Sequence, residues 1–160
     1  MQWLDLLATA DDLIAGPGGS RRPRQSNLRR AVSTAYYAMF HCLAHCCATT
    51  LVGGPNADRS EPAWRQAYRA LEHGRARSSC SNKDLLSRFP REVQDFANNF
   101  VSLQEKRQLA DYDPFARFTK LDVQEEIAAT RIMIEGFQSV PVKHRRAFAV
   151  YVLLRTRTGP

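Results

Sequence analysis

Leu28-Arg29-Arg30-Ala31-Val32-Ser33-Thr34-Ala35-Tyr36-Tyr37-Ala38-Met39-Phe40-His41 reads as an apolar helix led by two arginines and followed by a histidine. Carried on to Leu51, it holds two adjoining apolar stripes. Leu28, Val32, Ala35, Tyr36, Met39, Leu43 and Cys46 alternate steps of three and four, and Tyr37, Phe40, Ala44, Cys47 and Leu51 run beside them. A helix apolar over so much of its circumference is buried on two sides. It is therefore the centre of a bundle, or it lays one face on a partner subunit. Ser26 or Asn27 is placed to cap it, which predicts a helix from Asn27 to Leu51 closed by Gly53-Gly54-Pro55-Asn56.

Outward from this helix the same periodicity recurs. Trp3, Leu6, Leu7, Leu13 and Ile14 give a short first helix that stops at Gly16-Pro17-Gly18-Gly19. Pro62 suits the first turn of a third helix containing Trp64, Ala67, Tyr68 and Leu71, and Gly74 weakens any continuation to Cys80. Asn82 to Leu86 reads as a short helical turn. A fourth helix runs from Arg91 with Val93, Phe96, Phe100 and Leu103 inward, until Pro114 stops it. Thr119 or Asp122 caps a fifth, with Val123, Ile127, Thr130, Ile134 and Phe137 inward. The segment Phe148-Ala149-Val150-Tyr151-Val152-Leu153-Leu154 has strand-like content, but nothing else in the chain would pair with it, so a helix is favoured. The expected fold is all-α: one domain over residues 1–160, an up-and-down bundle of five or six helices.

Twenty-three Lys and Arg against sixteen Asp and Glu give a net charge of +7, most of the cations being arginine. Guanidinium groups grip phosphate through paired hydrogen bonds, so the surface favours polyanions. The basic residues gather in Arg21-Arg22-Pro23-Arg24 with Arg29-Arg30, in Arg75 and Arg77, and in Lys143 with Arg145-Arg146. They converge into a phosphate-tracking surface or remain separate solvated patches. No helix concentrates base-reading side chains on an exposed face, which argues against DNA recognition. No basic leader and no membrane-length apolar run is visible, and Cys42, Cys46 and Cys47 crowd two helical turns where disulfides fit poorly. A reduced, cytoplasmic protein without membrane attachment is expected.

Candidate chemistry centres on Arg107. One more step of four along the inward stripe Val93, Phe96, Phe100, Leu103 lands on this arginine, with Asp111 a turn further on. An acidic residue at a helix C-terminus opposes the macrodipole, and local rules broken side by side are commoner at sites than on plain surfaces. The plainer alternative is that Arg107 caps the terminal carbonyls and Asp111 merely pairs with it. His41 and His45 are spaced like helix-borne metal ligands, yet no third ligand or catalytic glutamate accompanies them, so no metal and no cofactor is expected. Tyr36 belongs to the core stripe, its hydroxyl needing a partner. Tyr37 is the better candidate to face a cleft or a dimer partner.

The Tyr36-Tyr37-Ala38-Met39-Phe40-His41 run, together with Arg107-Gln108-Leu109-Ala110-Asp111-Tyr112 downstream, resembles the two signature helices of the HEPN domain family, small all-α nucleotide-binding proteins. The resemblance covers residues 28–137. It implies a cytoplasmic protein binding RNA or a nucleotide as a homodimer, in a cleft between the second and fourth helices. It also implies a metal-independent endoribonuclease of toxin-antitoxin type, or a non-catalytic helical partner of a small nucleotidyltransferase. In the family, an Arg followed a few residues later by a His is the catalytic motif. Here the Arg is Arg107, and Tyr112 stands about where the His would be. With a phenol of pKa near 10 it is a poor base at neutral pH. The resemblance thus assigns Arg107 to phosphate, Asp111 to orienting it, and Tyr112 and His41 to proton or hydrogen-bond donation. Arg29, Arg30 and Tyr37 would contact the nucleic acid. Arg69 and His73 are an alternative Arg-His pair, on a different helix and one residue too close in spacing.

Overall fold

The computed structural model describes residues 2–16 and 22–156, which form eight helices and no strand. The expected breaker at Pro17-Gly18-Gly19, the cation Arg21 and the last basic residue, Arg157, lie outside the described residues. The helices are α1 (Trp3–Ala15), α2 (Gln25–Leu51), α3 (Glu61–Arg69), α4 (His73–Ser81), α5 (Lys83–Leu86), α6 (Arg91–Tyr112), α7 (Lys120–Ser139) and α8 (Val142–Leu153).

The 27-residue α2 is the central element, about 40 Å long at helical rise. It meets α1, α3, α6, α7 and α8, which accounts for burial around nearly its whole circumference. Small side chains make this possible: Ala31, Ala35, Ala38, Ala44 and Ala48 are fully buried and let neighbouring axes approach closely. The helices α2 and α6 run antiparallel, since Ser33 meets Asp111 while Met39 meets Asn99. The pair α6 and α7 is likewise antiparallel, with Lys106 beside Glu126, Asn99 beside Thr130, and Glu92 beside Gly136. The bundle is thus up-and-down through its long members.

The inward stripe of α6 falls as expected, with Val93, Phe96, Phe100 and Leu103 all buried. Phe96 stacks on Phe137 of α7 at 4.3 Å and 23°. Thr119 caps α7, its hydroxyl accepting from the Asp122 amide at 3.0 Å. The C-terminal segment is helical, and Phe148, Ala149 and Val152 pack inward.

Two expectations need correction. The helix α2 begins at Gln25, and neither Ser26 nor Asn27 caps it. Instead the Gln25 amide clamps Phe118 from both sides, donating to its carbonyl at 2.8 Å and accepting from its N–H at 3.1 Å. A tertiary clamp with the α6–α7 loop has replaced a local cap. Next, the third helix stops at Arg69, and Leu71 is buried in the connection beyond it. Residues 61–86 form three short helices, opened separately at Ser60, Glu72 and Asn82, and with these the expected all-α bundle of five or six helices comprises eight helical elements among the described residues.

Gly53 turns the chain out of α2 with φ of 135°, a region that L side chains rarely adopt. A Cβ there would lie 3.0 Å from that of Ala57. Gly53→Ala is expected to cost about 1–3 kcal/mol through backbone strain, seen as a lower urea midpoint at unchanged slope.

Candidate functional site

Arg107 sits at the end of the inward stripe of α6, where the core face runs out toward solvent, and its side chain is 17% exposed. Its Nε donates to Asp111 Oδ2 at 3.0 Å and its Nη2 to the Tyr37 hydroxyl at 3.1 Å. The guanidinium carbon lies 5.4 Å from the Tyr36 ring centroid and 5.2 Å from that of Tyr37, a double cation–π contact. The other Asp111 oxygen accepts from Ser33 Oγ at 2.5 Å. The expected Arg107–Asp111 pair is therefore built into α2 on both sides.

Capping of the α6 carbonyls belongs to a different arginine. The Arg29 guanidinium donates to the carbonyls of Ala110 (2.9 Å), Asp113 (2.8 Å), Pro114 (3.3 Å) and Ala116 (2.6 Å). A cation at a helix C-terminus satisfies both its orphan carbonyls and its dipole. Because Arg29 does this work, the guanidinium of Arg107 is left to the tyrosines and Asp111. The geometry gives Arg29 an internal partner set, whereas Arg30 projects outward and is exposed.

Two histidines complete the cluster. His73, the first residue of α4, is hydrogen-bonded through Nδ1 to the Tyr36 hydroxyl at 2.6 Å, and its ring stacks on Phe40 at 4.0 Å and 23°. Tyr36 is fully buried, so this bond supplies the partner its hydroxyl needs. His41 Nδ1 is hydrogen-bonded to the Tyr68 hydroxyl of α3 at 2.6 Å, and its ring lies 6.3 Å from Tyr37. His45 lies edge-on between Trp3 and Trp64, whose indole N–H groups are buried without a partner among the described residues. Arg107 and His73 share both tyrosine rings, although sequence spacing paired His73 with Arg69. The missed signal is a stripe on α2 at steps of four: Arg29, Ser33, Tyr37, His41, His45 and Thr49. Each step advances about 40° around the helix, so the stripe faces α6 at its start and α3 at its end.

Burial lowers the pKa of His41, His45 and His73 below the ordinary 6.5, with Arg107 and then His41 adding to the effect at His73, and Arg59 at His45. All three are neutral bases at neutral pH. Burial also holds the Tyr36 and Tyr68 hydroxyls protonated. The unfolded chain takes up protons near 6.5 while the native imidazoles resist, so stability is complete above that pH and falls as pH drops below it. Urea midpoints measured from neutral to mildly acid pH should decline, and the decline should shrink in His73→Gln.

The remaining expected site residues do not converge here. Tyr112 is 75% exposed, and Leu109 on the same helix and Phe115 in the loop after it are exposed too. A depression of about 550 Å³ lined by Glu105, Gln108, Leu109, Tyr112 and Asp113 marks this surface. Another, of about 730 Å³, follows the outer face of α3 from Glu61 to Ala70 and shares no residue with the cluster. Several basic residues are turned inward or already paired: Arg75 onto the Leu154 carbonyl, Arg77 onto Glu105, Arg145 onto the Val140 carbonyl and Arg146 onto the Thr50 carbonyl. The four cysteines are buried and free, and burial pushes the Cys46 thiol up to about 11 and that of Cys80 to about 12. Among the described residues no three His, Cys, Asp or Glu side chains gather to hold a metal, and no helix is long and apolar enough to cross a membrane.

No family model, curated protein or solved structure matches this chain. What the cluster can do rests on its chemistry. It offers a fixed guanidinium and an orienting carboxylate from α6, and protonated phenols and neutral imidazoles from α2, α3 and α4, gathered along one side of α2. That set can hold an anion and move a proton.

Proposed function

We propose that this is a HEPN-like cytoplasmic protein that binds RNA or a nucleotide, as a homodimer, in the cleft between α2 and α6. The observation that carries the reading is Arg107, held at the edge of the core by Asp111 and Tyr37. Its Nε and Nη2 are engaged by Asp111 and Tyr37, and in this reading the guanidinium meets phosphate through its remaining N–H groups. Asp111 orients Arg107 and is itself fixed by Ser33. Tyr37 and His41 supply hydrogen bonds beside the phosphate, and Arg30 adds exposed charge. The same reading extends to metal-independent, toxin-like cleavage of the bound strand.

Purified wild type and Arg107→Ala are incubated with end-labelled single-stranded RNA plus chelator, and cutting and retention are scored together. Retention should fall at least tenfold in the variant, about what loss of one charge-assisted phosphate contact produces. Equal retention by the two proteins overturns the assignment of Arg107. Cutting by wild type alone establishes the ribonuclease.

A second reading, a non-catalytic helical partner module of the kind that accompanies a small nucleotidyltransferase, is favoured by the exposed Leu109, Tyr112 and Phe115. It predicts a stable assembly with no RNA retention at moderate salt, and disruption of that assembly by Tyr112→Glu.

A further inference from the structure

We infer that Arg107 of α6 and His73 of α4 act together as a two-residue phosphate site, assembled across the rings of Tyr36 and Tyr37, in which binding of a phosphate group is coupled to protonation of His73. This deepens the reading above and rests on it for RNA, though not for phosphate itself.

The guanidinium carbon of Arg107 lies 5.4 and 5.2 Å from the two tyrosine ring centroids, and the His73 ring centroid lies 5.7 and 6.1 Å from the same two. Both side chains are fixed independently of any ligand. Arg107 is fixed by Asp111 and the Tyr37 hydroxyl, and His73 by the Tyr36 hydroxyl and the stack on Phe40. Such prior ordering lowers the entropic cost of binding. The bond through Nδ1 leaves Nε2 as the ring nitrogen that can meet a ligand. The Gln104 amide also donates to the His73 carbonyl at 3.3 Å, so the start of α4 is tied to α6 one turn before Arg107. No side chain caps α4, so its first amides have no side-chain acceptor.

The charges around His73 give the coupling its sign. From α2 it faces Tyr36, Tyr37 and His41, and from α6 Arg107. Nearest in sequence are Glu72, just before α4, and Arg75 and Arg77 on it. Of these, Arg75 reaches α8 at the Leu154 carbonyl and Arg77 pairs with Glu105. Burial opposes protonation of the imidazole most, and Arg107 is the cation that adds most to that opposition. A phosphate on Arg107 reverses the local field. It neutralises the guanidinium and places negative charge beside the ring, so the imidazolium becomes the favoured form. Binding then takes up a proton, and affinity rises as pH falls. A purely structural His73, present only to satisfy the Tyr36 hydroxyl, would titrate identically with and without the anion.

The test follows the Cε1–H resonance of His73 by NMR across the mildly acid to neutral range, identified by its loss in His73→Asn. Inorganic phosphate is the first probe and a short single-stranded RNA the second. With phosphate the His73 midpoint should rise by about one pH unit in wild type, the size expected for a new neighbouring charge. It should not move in Arg107→Ala or in the less disruptive Arg107→Gln. An unchanged midpoint in saturating phosphate, whether or not phosphate binds elsewhere, overturns the pair. A rise with phosphate but none with RNA keeps the pair and overturns the nucleic-acid reading. RNA that binds through Arg107 while His73 titrates as in the free protein overturns the pair alone.

Discussion

Replacing Arg29 with methionine is expected to lower stability by about 3 kcal/mol, the scale of several charge-assisted hydrogen bonds lost together with the desolvation of their acceptors. The guanidinium meets four carbonyls, two of them at 2.8 Å or less, at the point where α6 ends and the chain turns toward α7. Methionine fills the volume of the stem but leaves those carbonyls without donors. The loss should be local before it is global, with amide exchange protection falling first at residues 110–118. The same variant separates the two tasks open to a basic residue at this position. If Arg29 serves the fold, retention of polyanions by the folded variant stays within twofold of wild type. A large drop in retention at full stability would instead assign it to ligand.

Phe96→Ala is expected to be the more damaging change, at about 3–5 kcal/mol. Phe96 is fully buried, stacks on Phe137 and packs near Phe100, so its removal leaves a cavity at the seam of α6 and α7. Domains of this size are stable by only about 5–15 kcal/mol, so the variant should unfold measurably under mild conditions. Phe115→Ala is the control. At 87% exposed it should change stability by less than about 0.5 kcal/mol. A Phe96 variant that melts with wild type would mean the α6–α7 seam is misplaced.

The long helices were legible because their apolar spacing is dense and their burial continuous. The stripe Val93, Phe96, Phe100, Leu103 places α6, and its next step places Arg107 at the core edge. The start of α2 was not legible. Its clamp is Gln25 on Phe118, 93 positions away, and no local rule reports a partner that distant. Residues 61–86 were legible only in part, since α3 contains no buried residue and offers periodicity little to read. At the site, Arg107 with Asp111 could be found by counting. His73 could not be joined to them, because it enters from the first turn of another helix and meets Arg107 only through the rings of Tyr36 and Tyr37. The division of labour between Arg29 and Arg107 was equally hidden. Two arginines in one sequence pattern look alike until the carbonyls at the end of α6 are placed.

The stripe of α2 from Arg29 to Thr49 has a consequence for how this protein can change length. Removing or adding one residue within α2 rotates everything beyond it by about 100°. Between Ser33 and Tyr37, such a change would keep Asp111 seated while turning Tyr37, His41 and His45 away from Arg107, Tyr68 and Trp64. Substitutions along the stripe are graded losses, but insertions and deletions are all-or-none. Length variation in related chains should therefore fall in connections such as 52–60 and 113–119, with the span from 25 to 51 constant to the residue.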